Sequence, residues 1–135
     1  MTASAHGLVA PVLKDTQDKD IYQLSAEMKA LIDKANAGKL MPDDYSDGTF
    51  GITNIGKLNS YDSVPLPQPT QAAIMAACTA KKMPVVVEKD GEDTVAIRTM
   101  MKIVIGGDHR ILDGVPLASF INDMKTLMED PQSLT

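Results

Sequence analysis

The chain reads Gly106-Gly107-Asp108-His109-Arg110-Ile111-Leu112-Asp113-Gly114 directly after a β-branched segment. This order predicts that a strand delivers His109 into a glycine-flanked loop, after which an apolar stripe with helical spacing begins. Because an imidazole has a reference pKa near ~6.5, a histidine held in such a loop is suited to accept a proton at neutral pH. The residues alone leave two interpretations open. Either His109 is a general base, or His109 and Asp113 form a turn pair that caps the last helix.

The hydrophobic pattern around this loop predicts an α+β chain. Apolar residues recur at helical spacing over 20–36 and 117–128, with Pro116 in the first turn of the second helix. Strands are expected at 8–13, 49–53, 85–88, 94–101 and 102–105, and Asp90-Gly91 predicts a hairpin turn. Residues 54–70 are predicted to form a long irregular loop. Residues 72–80 are apolar without a clear period, so that helix and strand both stay open there.

Composition excludes several classes of function. The 135 residues fit one domain, and 44% hydrophobic and 23% charged residues are ordinary for a globular protein. A net charge of −5, with no basic stretch longer than Lys81-Lys82, argues against nucleic acid or an anionic membrane as partner. The lone cysteine, Cys78, forms no intrachain disulfide, and no signal-peptide pattern is seen, so a reducing, cytoplasmic location is expected. No metal site is expected.

Five segments in a consistent order resemble one family. The pattern Asp-His-Arg-x-x-Asp-Gly at 108–114 resembles the signature of the dihydrolipoyl acyltransferases, the core subunits of 2-oxo acid dehydrogenase complexes. Residues 48–56 resemble the family segment Gly-Thr-Phe-Thr-Ile-[Ser/Thr]-Asn-x-Gly, and residues 7–15, 38–44 and 69–74 agree in the same order. The match runs from about 7 to 131. It implies a chloramphenicol acetyltransferase-like fold, in which 72–80 is a buried strand and two amphipathic helices lie on one face of a mixed β-sheet.

The resemblance also implies roles for three residues. His109 would remove the proton from the attacking thiol of dihydrolipoamide or coenzyme A. Thr53 would donate a hydrogen bond to the oxyanion that forms when the thiolate attacks the thioester; alternatively it is a β-branched residue pairing across the sheet. Asp113 would fix the loop that orients His109, and Arg110 is either an ion-pair partner that locks this loop or a solvated charge.

The same resemblance implies an assembly. In the family the site lies between subunits of a trimer, with the histidine from one chain and the hydroxyl from its neighbour. We therefore expect a homotrimer or a larger assembly, and a lipoylated domain is a possible partner. Independently, the apolar strand at 72–80 is expected to need cover on both of its faces, which also favours self-association.

The chain departs from the family pattern in two ways. The resemblance covers the C-terminal half of the catalytic domain. The N-terminal half, which would supply an arginine for Asp113 and part of the thiol channel, is expected to be absent, as are the lipoyl and subunit-binding domains. Residues 57–60 and 64–67 also replace a more glycine- and aromatic-bearing stretch. Two hypotheses follow: an acyltransferase, or a non-catalytic structural or interaction subunit that is a truncated remnant of the acyltransferase core.

Overall fold

A computed structural model describes residues 2–4 and 7–134. His6, expected from the sequence to be an exposed terminal residue, lies outside the described residues. These residues form seven strands and two α-helices. In order these are β1 Thr2–Ser4, β2 Gly7–Val9, α1 Ile21–Asn36, β3 Phe50–Asn54, β4 Ala73–Ala77, β5 Lys81–Lys89, β6 Glu92–Met100, β7 Ile103–Gly107 and α2 Gly114–Glu129.

Helix α1 begins and ends where the sequence predicts. The Asp20 carboxylate accepts a hydrogen bond from the Gln23 backbone N–H, and the Asp20 backbone N–H donates one to the Gln23 side-chain oxygen. This reciprocal capping box satisfies two of the N–H groups that a helix start leaves free. Gly38, just past the helix end, has a φ of 65°, which a glycine adopts without strain.

A three-stranded mixed sheet forms the centre of the molecule. Strand β4 lies in the middle, parallel to β3 and antiparallel to β7. Four of its residues, Ala73 to Ala76, are buried. This confirms the mixed sheet and decides residues 72–80 in favour of a strand.

The two faces of this sheet have different covers. On one face α2 packs, where the Phe120 ring lies 5.6 Å from the Phe50 ring. Met28 of α1 lines a cavity together with Phe50 and Ile52, so α1 lies on the same face, as predicted. On the other face lies the loop that follows β3. The Pro65 carbonyl of this loop lies directly over Gly106. Strand β4 is therefore covered on both faces, as expected, and this cover comes from its own chain rather than from a second subunit.

The strand that the sequence predicts at 8–13 is shorter in the structure. Only Gly7–Val9 pairs, with β1, although the apolar residues continue to Leu13. Pro11 has no N–H to donate to a ladder, and the Val12 N–H donates instead to the Asp44 carbonyl at 2.8 Å. The backbone groups of this segment are thus used elsewhere, which ends the strand early.

The β5–β6 hairpin is longer than predicted and projects an apolar face. Its turn has Asp90 and Gly91 at φ 56° and 82°, as a tight type I′ turn requires. Val86 pairs with Val95, and Pro84 pairs with Ile97 on the same face. Val86, Val95 and Ile97 are 67%, 74% and 72% exposed. We call Pro84, Val86, Val95 and Ile97 the hairpin stripe. Among the described residues, no helix is long and apolar enough to cross a membrane.

We predict that Gly106→Ala destabilises the fold more than Gly107→Ala. A Cβ at Gly106 would overlap the Pro65 carbonyl oxygen, which is backbone, whereas a Cβ at Gly107 meets the flexible end of Leu117 at 2.6 Å. Overpacking of this kind costs ~1–3 kcal/mol, and Gly106→Ala should lie at the upper end of that range. Chemical denaturation measures the loss. Gly114→Ala is the control because a Cβ there meets nothing within 4 Å. Equal losses at 106 and 114 would contradict this packing.

Candidate functional site

His109 is exposed at the tip of a short turn between β7 and α2. The turn is built on the residue before it. The Asp108 N–H donates to the Ala72 carbonyl at 2.9 Å, and the Asp108 carbonyl accepts from the N–H groups of Ile111 and Leu112, both at 3.0 Å. These bonds tie the turn to the chain entering the buried strand β4. The backbone that carries His109 is therefore fixed while its side chain faces solvent.

An ion pair spans His109. The Asp108 carboxylate accepts a hydrogen bond from the Arg110 backbone N–H at 3.0 Å, and the Arg110 guanidinium donates from both Nε and Nη2, at 3.0 and 2.6 Å. The Asp108 side chain is 21% exposed and that of Arg110 is 88% exposed. The side-chain hydrogen bond from Arg110 lowers the pKa of Asp108 to about 2, and that of Arg110 is raised in turn. The sequence left two interpretations of Arg110 open, and the structure shows the ion pair. The acidic residue of this pair is Asp108.

Asp113 occupies the N-cap position of α2 without capping it through its side chain. Its backbone carbonyl accepts a long hydrogen bond of 3.4 Å from Leu117. Within the described part of the chain, its carboxylate makes no hydrogen bond or ion pair. The interpretation of His109 and Asp113 as a helix-capping pair therefore has no side-chain hydrogen bond to support it.

Thr53 lies near the end of β3 and is half-buried. It pairs with Ala76, which pairs with Val104, and alternate residues along these strands share a face. Thr53 therefore points to the face of Gly106, the one covered by the loop. Its hydroxyl makes no hydrogen bond to any described residue. A donor held on a strand in this way is free to bind an oxygen supplied by a ligand.

The sheet register keeps Thr53 and His109 apart within one chain. Thr53 is level with Val104, whereas His109 lies beyond Gly107, which is level with Phe50. Three residues along a strand and two strand spacings place the Cα atoms of Thr53 and Gly107 about 14 Å apart. His109 is two residues farther on. The two residues thus lie towards opposite ends of the sheet, and one small group cannot contact both within the same chain.

Two cavities in the described part of the chain lie away from these residues. One of about 470 Å³ lies between residues 8–12 and the segment 68–71, and one of about 620 Å³ lies between residues 10–17 and β3. Neither is lined by Thr53, His109 or Asp113. Within the chain these cavities are not a thiol channel leading to His109.

Cysteine and metal chemistry have no candidate centre in the described residues. Cys78 is a free thiol and is 2% exposed, so it is packed as a small core residue. Residues 2–4 and 7–134 hold no cluster of three or more His, Cys, Asp or Glu side chains placed to bind a metal ion.

Comparison with known proteins identifies the family. Residues 2–135 match the family model described as 2-oxoacid dehydrogenases acyltransferase (catalytic domain). The chain belongs to this acyltransferase family. It is 39% identical over 131 residues to the chloroplastic dihydrolipoyllysine-residue acetyltransferase component 5 of the pyruvate dehydrogenase complex of Arabidopsis thaliana. It is 36% identical over 132 residues to the succinyltransferase component of the 2-oxoglutarate dehydrogenase complex of Haemophilus influenzae.

Solved structures of acyltransferases share the fold. The dihydrolipoamide acetyltransferase of Azotobacter vinelandii superposes with a TM-score of 0.85 at 27% identity, covering 98% of this chain and 53% of that one. A probable dihydrolipoamide acetyltransferase of Listeria monocytogenes gives 0.79 at 34% identity, covering 88% and 49%. These comparisons confirm the predicted fold, which is half of an acyltransferase domain. The chain spans 27% and 31% of the two relatives' lengths and about half of these structures.

The sequence reasoning missed Asp108, the acyltransferase residue that organises the turn. Its signal was present, because an aspartate often accepts a hydrogen bond from the backbone N–H two residues later. The Arg110 N–H provides that bond. The sequence analysis treated Asp108 only as part of the family motif. Its position two residues before Arg110 predicts the turn directly.

We predict that the wild-type chain loses more stability in acid than Asp108→Asn does. The pKa of Asp108 is about 2 in the folded chain, against an ordinary value of 3.8. The ion pair therefore contributes fully to the free energy of unfolding at a pH above the ordinary pKa of 3.8. This contribution is lost as the pH falls through the folded pKa of about 2. Asparagine keeps the acceptor for the Arg110 N–H and cannot titrate. Denaturant unfolding of both proteins between about pH 5 and about pH 2 measures the difference. Identical pH dependence would show that the ion pair contributes nothing to folding.

Proposed function

We propose that this chain transfers an acyl group between the thiols of dihydrolipoamide and coenzyme A, with a site completed by two chains. The observation that carries the proposal is that a histidine is held on a rigid turn and an unbonded strand hydroxyl lies on a second element, in a member of the acyltransferase family. The Azotobacter vinelandii structure was solved to investigate the role of a serine, a histidine and an asparagine in the catalytic mechanism of that enzyme. Its histidine and asparagine are four residues apart, as are His109 and Asp113 here.

His109 acts as the general base in this proposal. A free thiol has a pKa near ~8.5, so only a small fraction is thiolate at neutral pH, and a base within hydrogen-bond reach increases it. The thiol proton moves to the imidazole, and the sulfur attacks the thioester carbonyl. The carbonyl oxygen then becomes an oxyanion. Collapse of this intermediate expels the other thiol, which takes the proton back.

Thr53 stabilises the oxyanion, and it does so from a neighbouring chain. The base and the oxyanion donor must contact atoms bonded to one carbon, each within ~2.6–3.2 Å. The separation of about 14 Å between Thr53 and Gly107 forbids this within a chain. Asp113 helps to orient the turn, and its carboxylate needs a partner beyond the described residues.

We also propose that the chain forms a homotrimer or larger assembly. Support comes from the hairpin stripe, whose exposed apolar residues on two paired strands are typical of an interaction surface. The structure described as the cubic core of a pyruvate dehydrogenase complex covers 98% of this chain with a TM-score of 0.86. A lipoylated domain as acyl carrier and a cytoplasmic location complete the proposal.

The second hypothesis is a non-catalytic structural or interaction subunit. The observation favouring it is that neither of the two cavities described above is lined by His109. The two hypotheses differ in a single measurement, which is acyl exchange between a coenzyme A thioester and dihydrolipoamide. The assay is run with this chain alone and with the remaining half of the domain supplied.

We predict that His109→Ala lowers kcat by ~10²–10⁴-fold, since general-base help is lost. Thr53→Val keeps the side-chain shape, removes the donor and should cost ~10²–10³-fold. Lys125→Met, on the exposed side of α2, is the control. An unchanged rate in His109→Ala would refute the assigned base, and no exchange by the wild type in either assay would favour the second hypothesis.

We predict that co-expressed His109→Ala and Thr53→Val chains recover activity that neither has alone. A site that takes its histidine from one chain and its hydroxyl from the next is intact in about a quarter of randomly mixed pairs, so about a quarter of the wild-type rate should return. A chain carrying both substitutions, mixed with wild type, is the control. Absence of any recovery, with mixed assembly shown by mass spectrometry, would contradict a site between chains.

We predict that Ile97→Lys dissociates the assembly. A charge in the hairpin stripe must be desolvated when the stripe is covered, which disfavours association. Light scattering at micromolar concentration measures the mass. Thr94→Lys places the same charge on the opposite face of the same strand and should leave the mass unchanged. A monomeric wild type, or an unaltered mass for Ile97→Lys, would rule out this interface.

A further inference from the structure

The turn that carries His109 contains a feature that the proposed reaction does not use directly. Asp108 and Arg110 stand immediately before and after His109, and their side chains are joined by the bidentate pair described above. An exposed ion pair contributes little to global stability, since solvent screens it and two side chains must be ordered. The geometry of this pair is nevertheless unusually complete, because backbone and guanidinium groups of Arg110 converge on a single carboxylate.

We propose that Asp108 and Arg110 are positioning residues that clamp the turn and so fix the direction of the His109 imidazole. This inference rests on the proposed function of His109 as a base. Neither residue contacts the reacting atoms in it. They act through the backbone on both sides of His109.

Three sets of contacts carry the clamp. The first ties Asp108 to Ala72 at the entry to the buried strand β4, so that the clamp has an immobile base. The second is the pair of N–H donors from Ile111 and Leu112 to the Asp108 carbonyl, which closes the turn. The third is the bonding of Arg110 to the Asp108 carboxylate, which fixes the residue after His109 relative to the residue before it. Removing the third set leaves the fold intact and frees the turn at one end only.

A planar guanidinium is essential to this arrangement. Its fork matches the two oxygens of a carboxylate, and a lysine ammonium does not reproduce that fit. Arg110→Lys keeps the charge and should therefore restore only part of the function lost in Arg110→Met. This graded order separates a geometric role from a merely electrostatic one.

The kinetic test compares Arg110→Met, Arg110→Lys and Asp108→Asn with wild type in the acyl-exchange assay. Misplacing a reacting group by about 1 Å can cost as much as ~10²-fold, so we expect kcat to fall about 10- to 10²-fold in Arg110→Met. KM for both thiol substrates should change less than about twofold, because neither residue binds substrate. The double variant should be no worse than the poorer single one, as expected for two groups that act as a unit. Lys125→Met is the charge-removal control. A KM effect with unchanged kcat would overturn the clamp.

A spectroscopic test does not depend on activity. The chain has two histidines, so in a His6→Gln background His109 is the single imidazole. NMR of its ring protons should show a distinct signal with restricted motion. In Arg110→Met and Asp108→Asn this signal should sharpen and move towards that of free histidine, while Lys125→Met leaves it unchanged. If the wild type exchanges no acyl groups but the ring responds in this way, the clamp stands and the proposed function fails. If the ring is unaffected by both substitutions, the clamp is wrong.

Discussion

The buried strand β4 is the constraint on which the rest of the structure depends. Its residues Ala73 to Ala76 are apolar and buried under both covers of the sheet, so the register of β3 on one side and β7 on the other is fixed. That register sets Thr53 level with Val104 and sends the chain into the His109 turn at the other end. The Ala72 carbonyl, next to β4, then anchors Asp108. Fold and site are therefore consequences of one set of strand pairings.

This constraint explains why the proposed site is divided between two chains. In a single chain the Cα atoms of Thr53 and Gly107 lie about 14 Å apart, and His109 lies two residues beyond Gly107. The proposed reaction therefore needs a second chain that brings its own end of the sheet to the first. In that proposal assembly is part of the chemistry, because the site is incomplete without it. The exposed hairpin stripe gives this chain an apolar surface of the kind that assembly requires.

Local signals in the sequence predicted the elements well. The period of α1, its Asp20 cap and Gly38 indicated both helix ends, and Asp90-Gly91 indicated the hairpin turn, because each depends on neighbouring residues alone. Residues 72–80 could not be assigned from their pattern, since a segment buried on both faces has no period.

Long-range features were harder to foresee. The end of the first strand depends on the Asp44 carbonyl, 32 residues from Val12, and the separation of Thr53 from His109 depends on strand register. Family resemblance supplied the residues of the candidate site. Asp108, which organises its turn, was recognised from the hydrogen bonds, although an aspartate two residues before Arg110 already indicates such a turn.

In the proposed function, Thr53 meets His109 across a boundary between chains and never within one. Cross-linking with a short bifunctional thiol reagent tests it directly, using co-expressed Thr53→Cys and His109→Cys chains. Cys78 is buried and stays unreactive in the folded protein. We expect a covalent dimer from the mixture, and no intrachain link in a dilute monomer that carries both substitutions. An intrachain link in that monomer, or no dimer from an intact assembly, would contradict it.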